Sequence, residues 1–505
     1  MPEFKITRAL PLLFLIVLIA GIVPGINSYL HCATLRVGPG QDYADPELAA
    51  AAAEPGDTIL IYPGTWDRTY FIEDLKGLAN EWIVIRGTGF GETIMGGGTE
   101  SLHFINCSWI ILENLIFERN TGNGVNIDDG GDYNTPTHHF IIRDCIFRNM
   151  NAAGNNDFLK LSGLDSFEVI QCLFMDGAAG GSGIDMVGCH WGLIADNDFY
   201  RLGSNSIQAK GGTRYITITR NYFEDGGLRA MNLGGSTGEQ FFRPLGVNYE
   251  ASDLEVIANI TTGSDAPVAF VSSQDVRVWN NTFFLPDRWV MRILQESGDT
   301  SFFLPASNGE FINNLIVVDN SLRTTVNIGP LTRPETFRFS NNLWWDITDP
   351  GFTPSLPNPD PEQIIGLDPL MTDPQGGDFT LQSVSPAIKQ GATLFRSYTD
   401  IEGNDYLDPP SIGAYEGGIP TSIIDVRRNV TNSFYPNPAS DHVIWNSTIH
   451  SEKTSLTIFD QLGRPVYHTA QFEPVVNIGQ LSSGHYFWVV RDPSGLEKGK
   501  LIISH

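Results

Sequence analysis

The chain has 505 residues with a formal net charge of −27 at pH 7; 18% of its residues are charged, 41% are hydrophobic and 52 are glycine. This composition is typical of a folded, turn-rich protein with room for two or three domains, and it excludes a disordered chain. A surface this acidic repels nucleic acids and anionic membranes, so we expect neither as a partner.

The N-terminal segment predicts an export signal. Lys5 and Arg8 precede an apolar run over residues 9–26, and small residues follow before Ala33. This order is typical of a cleaved signal peptide. The run approaches membrane-spanning length, so an uncleaved anchor is the alternative. We predict a signal peptide over residues 1–33.

Nine short segments between residues 110 and 344 alternate apolar and polar residues, which is the period of a β-strand. One position is Asn in seven of these units and Cys in two: Asn114, Cys145, Cys172, Asn197, Asn221, Asn259, Asn281, Asn314 and Asn342. Neighbouring units are 22 to 38 residues apart, which suits coils of three short strands with loops of variable length. We expect the Asn amides to stack along the coil axis and bond to each other. Stacked coils place Cys145 and Cys172 close enough for a disulfide. The alternative is that both cysteines are small buried residues without a bridge.

This pattern resembles the right-handed parallel β-helix, or pectin-lyase-like, superfamily over about Leu35 to Glu416. The segment "EPGDTILIYPGTW" at 54–66 is similar to the first turns of such proteins, and "SPAIKQG" at 385–391 with "SIGAYEGG" at 411–418 is similar to their last turns. The resemblance implies an all-β fold with a right-handed parallel β-helix over residues 34–418. It does not name a reaction.

The sequence changes character after Gly418. A short linker over residues 419–432 leads to "SFYPNPASDHVIW" at 433–445 and "LTIFDQLGRPVYH" at 456–468. These motifs resemble the C-terminal sorting domain of the type IX secretion system of Bacteroidota. The resemblance implies a small β-sandwich over residues 433–505, the type IX secretion machinery as a partner, and a secreted or cell-surface protein. A small β-sandwich that serves as a binding module is the alternative.

A second strand column predicts which side chains face outward. Alternation predicts that the following residues point inward: Val125, Leu159, Ile184, Ile207, Met231, Val268, Met291 and Val326. Their outward neighbours are Asn126, Lys160, Asp185, Gln208, Asn232, Ala269, Arg292 and Asn327. The rod therefore carries a polar strip along its axis.

Basic and aromatic residues beside this strip favour a carbohydrate groove over a plain solvated surface, which is the alternative. A long insertion follows at residues 234–253, and the next coil contributes Arg288, Trp289 and Arg292. Rings stack on sugar faces, and guanidinium groups pair with carboxylate or sulfate. The substrate-binding residues predicted in this way are Asn126, Lys160, Asp185, Gln208, Asn232, Phe242, Arg243, Tyr249, Arg288, Trp289 and Arg292.

Lys210 and Arg229 are the predicted catalytic residues. Lys210 ends one strand and Arg229 begins the corresponding strand of the next coil, so we expect them within several Å of each other. A Lys beside other cations has a depressed pKa and can act as a base, and an Arg can neutralise a uronate carboxylate. This pairing predicts β-elimination, or epimerisation at the same carbon.

The arrangement resembles the alginate lyase and chondroitinase B group of polysaccharide lyases, which implies Lys210 as the base. Two departures weaken the resemblance. Asn232, Leu233 and Gly234 stand where the group has its Arg, and Asn205, Ser206 and Gln208 stand where it has acidic calcium ligands. We therefore expect no cofactor, since the residues before Lys210 do not support a calcium site.

Two other functions stay open at this point. Asp128, Asp157 and Asp185 lie on neighbouring coils, and paired carboxylates on such a face can hydrolyse glycosidic bonds. A non-catalytic rod that binds glycans or serves as an adhesin needs only the polar strip and the aromatic residues. The preferred interpretation is a monomeric, secreted or surface-displayed polysaccharide lyase that acts on an acidic polysaccharide.

Overall fold

The computed structural model describes residues 32–88, 93–297, 299, 301–394 and 398–417, and parts of 434–503, namely 434–435, 439, 441–445, 455–460, 465–470, 475–482, 484–492 and 495–503. The predicted linker, and the predicted signal peptide up to residue 31, lie outside the described residues. Within the described part, no helix combines the length and the apolar character that crossing a membrane requires.

Three parallel sheets wind around a common apolar core, and most coils contribute one strand to each sheet. The sheet that carries the polar strip, called here the cleft sheet, has these strands among the described residues: Tyr70–Glu73, Leu102–Ile105, Val125–Asp128, Leu159–Ser162, Ser182–Val187, Asn205–Lys210, Arg229–Gly234, Ala266–Val271, Trp289–Leu294 and Thr324–Ile328. The predicted parallel β-helix is thereby confirmed.

The second sheet, called the long sheet, follows the cleft sheet in each coil. Its described strands are Thr34–Val37, Thr58–Ile61, Ile83–Gly87, Ser108–Glu113, Thr137–Arg143, Leu164–Ile170, His190–Ala195, Thr213–Thr219, Ala251–Ser252, Glu255–Ile257, Ser273–Gln274, Arg277–Trp279, Glu310–Ile312 and Arg338–Ser340. A short helix, Pro46–Ala50, packs on the first coils and begins after Asp45, whose side chain accepts the Leu48 N–H.

The third sheet closes each coil with a very short strand. Its described strands are Ile94–Gly96, Ile116–Glu118, Ile146–Arg148, Leu173–Met175, Asp198–Tyr200, Tyr222–Glu224, Ile260–Thr262, Thr282–Phe284, Leu315–Val318, Leu343–Asp346 and Ile364–Ile365. A hairpin of Met371–Asp373 and Asp378–Leu381 follows, and short 3₁₀ turns lie at Glu239–Phe241, Pro334–Thr336 and Pro374–Gly376.

Stacking of like residues fills the core, as the repeat predicts. All eight residues predicted to point inward from the cleft sheet are buried. Phe147, Phe174 and Phe199 stack with nearly parallel rings at 4.7 and 4.8 Å between centroids. Burial of apolar surface is worth roughly 25 cal/mol per Å², so this continuous core stabilises the rod along its whole length.

The predicted asparagine ladder is confirmed. From Asn197 to Asn342, each Asn Nδ2 donates to the Oδ1 of the Asn one coil further on, at 2.9 to 3.2 Å. The ladder ends on Asp360, whose carboxylate accepts from Asn342 Nδ2 at 2.8 Å. Cys145 and Cys172 occupy earlier positions of this column and are buried thiols, so they do not form the disulfide that the sequence left open.

The C-terminal part forms antiparallel sheets with an apolar core of its own. Its described strands are Phe434–Tyr435, His442–Trp445 and Val475–Asn477 in one sheet, and Ser455–Phe459, Pro465–Thr469, Gly484–Asp492 and Gly495–Ile503 in the other. The rings of Phe434, Trp445 and Trp488 pack against each other at about 5 Å in this core.

Candidate functional site

A cleft of about 850 Å³ opens on the outer face of the cleft sheet. Its floor comes from the strands that hold Asn126, Lys160 and Lys210, with His103 at one end. Its walls are the loop over residues 129–136 and the insertion after Gly234. The Tyr133 hydroxyl donates to the Gln240 carbonyl and joins the two walls.

Two lysines share one buried carboxylate in the floor of this cleft. Asp185 lies on the strand between those of Lys160 and Lys210, because the parallel register pairs Lys160 with Asp185 and Val187 with Lys210. Lys160 Nζ contacts one oxygen of Asp185, and Lys210 Nζ lies 3.3 Å from the other oxygen. The two amines thus converge on one carboxylate although their strands are not adjacent.

The carboxylates of this cluster lie beneath the lysines. The Asp185 side chain has no exposed surface, and Asp157 is also buried, with one oxygen 3.6 Å from Lys160 Nζ and the other accepting the Ser182 N–H at 2.7 Å. Burial, and then the charge of Asp185, raises the pKa of Asp157 to about 6. Burial alone would lower the pKa of Lys160, but the charges of Asp185 and Asp157 outweigh it and raise that pKa above its ordinary value.

His103 forms a second polar group at the upstream end of the cleft. Its Nδ1 lies 3.0 Å from Glu100 and its Nε2 lies 2.6 Å from Asp128. Burial would lower the pKa of His103, but these two hydrogen bonds prevail and raise it to about 9, so the ring is a cation at neutral pH. Asn126 lies beside the ring, 3.4 Å from Nε2.

The structure does not bring Lys210 and Arg229 together. Their strands are neighbours, but Arg229 pairs with Asn205 at the start of the strand, whereas Lys210 is its last residue. Arg229 forms a two-point ion pair with Glu296, at 2.6 and 3.2 Å. The expected proximity was wrong because strand position, and not coil number alone, sets the distance. Lys160, and not Arg229, is the cation that shares Asp185 with Lys210.

A basic patch with an aromatic ring lies downstream on the same outer face. The Arg292 guanidinium stands 4.5 Å from the centre of the Trp289 ring and donates to Asn327 at 2.9 Å. Arg288 pairs with Asp265 at 3.2 Å and lies 5.9 Å from the same ring. Burial, and then the charge of Arg229, lowers the pKa of Arg292, which places Arg229 in the same patch.

The other predicted polar residues of the sheet support these two groups. Gln208 accepts from Lys210 Nζ at 3.4 Å. Asn232 is buried and accepts from Arg229 at 3.0 Å. Both therefore hold cations in place, and Asn232 presents little surface to a bound chain.

The insertion is anchored by buried charges. Arg243 forms a two-point pair with Asp165 at 2.7 and 2.6 Å and also donates to the Gly188 carbonyl at 2.9 Å. The buried Glu250 accepts the N–H groups of Gly211 at 2.9 Å and Thr237 at 2.8 Å. Arg243 reaches the cleft wall, but its guanidinium is engaged in fixing the loop.

The aromatic residues of the insertion lie elsewhere than predicted. Phe242 is 1% exposed and packs on Phe303 with ring centroids 5.1 Å apart, so it offers no face to a ligand. Phe241, its neighbour, is exposed and lines the cleft. Tyr249 hydrogen-bonds Arg214 on the long sheet, away from the cleft.

The cleft residues outside the predicted set include His103, Tyr133 and Phe241. His103 belongs to the segment "LHFI", whose alternation extends the outward column one coil upstream, so that signal could have found it. The two loop residues have no periodic signal. Among the described residues, no group of three or more His, Cys, Asp or Glu side chains is arranged to hold a metal ion.

Two family models match the chain. Residues 93–283 match the right-handed β-helix region, and residues 433–504 match the secretion system C-terminal sorting domain. These matches confirm the predicted right-handed β-helix and the predicted sorting domain. The sorting domain directs the protein through type IX secretion to the cell surface or the extracellular space. No curated protein matches the sequence.

Solved structures with similar coils include several enzymes. An alginate lyase from Paenibacillus sp. str. FPU-7 is 13% identical, with 61% of this chain and 97% of that chain covered and a TM-score of 0.35. Pectate lyase Pel9A is 14% identical, with 77% and 98% covered and a TM-score of 0.37. The A-module of a mannuronan C-5 epimerase from Azotobacter vinelandii is 15% identical, with 63% and 92% covered and a TM-score of 0.43. None of these similarities bears on the reaction of this chain.

Proposed function

We propose that this exported protein cleaves a uronate-containing polysaccharide by β-elimination in the cleft. The observation that carries the proposal is the pair of amines, Lys160 and Lys210, that converge on the two oxygens of Asp185. β-Elimination needs a cation for the uronate carboxylate and a base for the proton on the adjacent carbon. In this proposal one of the two amines is the cation and the other is the base.

Lys160 is the cation in this proposal. Its pKa lies above the ordinary value because the charges of Asp185 and Asp157 outweigh its burial, so it stays an ammonium ion at neutral pH. It lines the cleft, where it can pair with the carboxylate of a bound uronate. Neutralising that carboxylate acidifies the proton on the adjacent carbon.

Lys210 is the base. As a neutral amine it takes the proton from the carbon next to the carboxylate, and the electron pair left behind forms a carbon–carbon double bond. The bond from the next carbon to the glycosidic oxygen breaks, and the new Lys210 ammonium returns the proton to that oxygen. Asp185 holds the amine in place throughout, since its oxygen lies 3.3 Å from Lys210 Nζ. The step needs no oxidant, reductant or water.

The length of the polar face supports a polymer as the substrate. His103 and Asn126 lie at one end of the face, and Trp289 with Arg292 lies at the other. Successive strands of a sheet are about 4.8 Å apart, so the face runs over several sugar units. Cations along its whole length suit a chain that carries repeated carboxylates.

The burial of the carboxylates disfavours the hydrolase alternative. Glycoside hydrolysis needs two carboxyl groups that reach the scissile bond. Asp157 and Asp185 lie beneath the lysines and do not line the cleft, whereas Asp128 lines it and is hydrogen-bonded to His103. Only one of the three predicted carboxylates is thus in a position to touch a bound chain.

Product analysis tests the proposal. The purified chain is incubated with alginate and polygalacturonate, and the carboxyl-reduced form of each polymer is the matched control. We expect short-wavelength ultraviolet absorbance from unsaturated ends and new reducing ends to rise together on an acidic polymer and on neither control. New reducing ends without absorbance would contradict elimination in favour of hydrolysis. Binding without either product would contradict any cleavage.

A further inference from the structure

One backbone position near the start of the long-sheet strands has a left-handed conformation in successive coils. The register aligns these residues, because the pairs on either side of each, such as His190 with Arg214 and Gly192 with Ile216, are in register. The residues and their φ angles are Trp109 59°, His139 58°, Ser166 55°, Trp191 56°, Tyr215 59°, Asp253 53°, Asp275 54° and Asn308 57°. Trp82 precedes them in the same column.

Aromatic residues are a costly choice at this position. Left-handed backbone is tolerated by Asn and Asp and is unusual for bulky residues. The downstream coils follow this preference with Asp253, Asp275 and Asn308, so the fold itself does not require a ring there. Strained residues that persist without a structural need point to function.

The rings also leave apolar surface open to solvent. Trp191 is 57% exposed and Tyr215 is 40% exposed, and their nearly parallel rings have centroids 5.9 Å apart. This distance exceeds the spacing of the stacked Phe rings in the core, so part of each ring face is uncovered. Upstream, Trp109 stacks on His139 at 3.7 Å.

We propose that these residues, called the aromatic strip (Trp82, Trp109, His139, Trp191 and Tyr215), bind a polysaccharide chain along the rod at a second site outside the cleft. The proposal extends the proposed function, from which it takes only the class of ligand. Exposed aromatic faces contact the C–H faces of pyranose rings, and strands about 4.8 Å apart repeat such contacts along a chain. The coil of Ser166, between His139 and Trp191, leaves one gap in this repeat.

Two features favour a carbohydrate over a protein partner. The strip is one residue wide, whereas protein interfaces bury broad patches. The Arg214 guanidinium lies 4.0 Å from the centre of the Tyr215 ring and 3.5 Å from Asp253, and it places N–H donors beside the ring that suit the hydroxyl and carboxylate groups of an acidic chain. The insertion separates the two sites, since Phe241 lines the cleft while Tyr249 contacts Arg214 beside the strip.

The test is affinity electrophoresis in native gels that contain alginate, polygalacturonate or a neutral β-glucan. All variants carry Lys210→Ala, so that the polymer stays intact. Trp191→Asn with Tyr215→Asn removes both exposed rings and introduces a residue that the same column uses downstream at Asn308. Leu331→Ala, which removes an exposed apolar side chain elsewhere, is the matched control.

We expect the parent to be retarded by at least one polymer and the double Asn variant to lose at least tenfold in affinity, with an unchanged or higher Tm. Leu331→Ala should bind like the parent. Equal retardation of the double variant and the parent would overturn the second site, as would a parent that no polymer retards. Neither result touches the proposed function, which depends on product formation in the chain with Lys210 intact.

Discussion

Two regions on the outer face of the cleft sheet differ in how buried the carboxylates that pair with their cations are. In the cleft, Lys160 and Lys210 share one fully buried carboxylate, that of Asp185. Downstream, Arg229 forms a two-point ion pair with the partly exposed Glu296. The same strand column thus builds a buried cluster of two lysines and two carboxylates in the cleft and a partly exposed one-to-one ion pair downstream. Burial of the carboxylates, which sequence spacing does not predict, is what distinguishes the two groups.

Removal of the shared carboxylate should have the largest effect. Asp185→Asn removes the carboxylate that both lysines contact and leaves Lys160 with Asp157 alone. Breaking a buried ion pair costs about 3–5 kcal/mol. We expect a loss of this size in the free energy of unfolding, together with a loss of turnover of at least 100-fold. Urea denaturation and the product assay measure the two. Glu296→Gln, which breaks the exposed downstream pair, should cost less than about 1 kcal/mol, and similar losses for both variants would contradict the comparison.

Lys160 should contribute to catalysis by pairing with the substrate carboxylate. Lys160→Met removes a charged contact worth about 1.5–3 kcal/mol, so kcat/KM on an acidic polymer should fall about 10- to 100-fold. Lys160→Arg keeps the cation and should retain more activity than Lys160→Met. Steady-state kinetics of both variants check this, and equal losses would show that the charge is not what the substrate needs.

The pH dependence of stability should report Asp157. The pKa of Asp157 in the folded protein, about 6, lies above the ordinary value of 3.8. Protonation of Asp157 therefore makes its full contribution to folding stability below about pH 4, and this contribution is lost as the pH rises through 6. Asp157→Asn mimics the protonated form and can still accept the Ser182 N–H. It should therefore be more stable than the parent by on the order of 2–3 kcal/mol at pH 7–8 and equal to it near pH 4.

Asp346→Asn provides the control of opposite sign for this measurement. Burial would raise the pKa of Asp346, but hydrogen bonds from the Thr348 hydroxyl and N–H prevail and lower it. That variant should lose stability at neutral pH and recover toward the parent in acid. Thermal unfolding from about pH 2 to pH 8 follows both variants, because the recovery of Asp346→Asn lies below the ordinary pKa of 3.8. Parallel profiles for the two variants would contradict the account of Asp157.

The smallest effect is expected downstream. Arg229→Ala should weaken the binding of long acidic chains less than tenfold, because its charge is already neutralised by Glu296 at 2.6 Å. The loss should shrink as salt rises, since exposed charges are screened. Binding isotherms at two salt concentrations measure it. A loss as large as that of Lys160→Met would place Arg229 in the reacting site.

The sequence predicted the rod well because its signals are periodic. Alternation identified the inward residues, and the Asn column identified the ladder from Asn197 to Asn342. Register within the cleft sheet follows from the same repeat, so the outward column containing Lys160 and Asp185 was also correct.

The site was predicted only in part, since loops have no period. Alternation labels Asp185 as outward, but it cannot show that lysines from both flanking strands cover it. In the insertion, Phe242 and Phe241 are equivalent in sequence, yet packing on Phe303 buries the first while the second lines the cleft. Contacts between loops, such as Tyr133 with Gln240, depend on the folded chain alone.

The most direct test of the proposed chemistry is the formation of unsaturated ends by the Lys210→Ala variant. Loss of a base from the reacting site costs about 10²–10⁴-fold in rate. The rate at which the ultraviolet absorbance of unsaturated ends grows, on a polymer that the parent cleaves, should fall by that factor while Tm stays within a few degrees. Lys76→Ala, which removes an exposed lysine elsewhere, should keep the full rate. Parent-like formation of unsaturated ends by Lys210→Ala would contradict the assignment of the base.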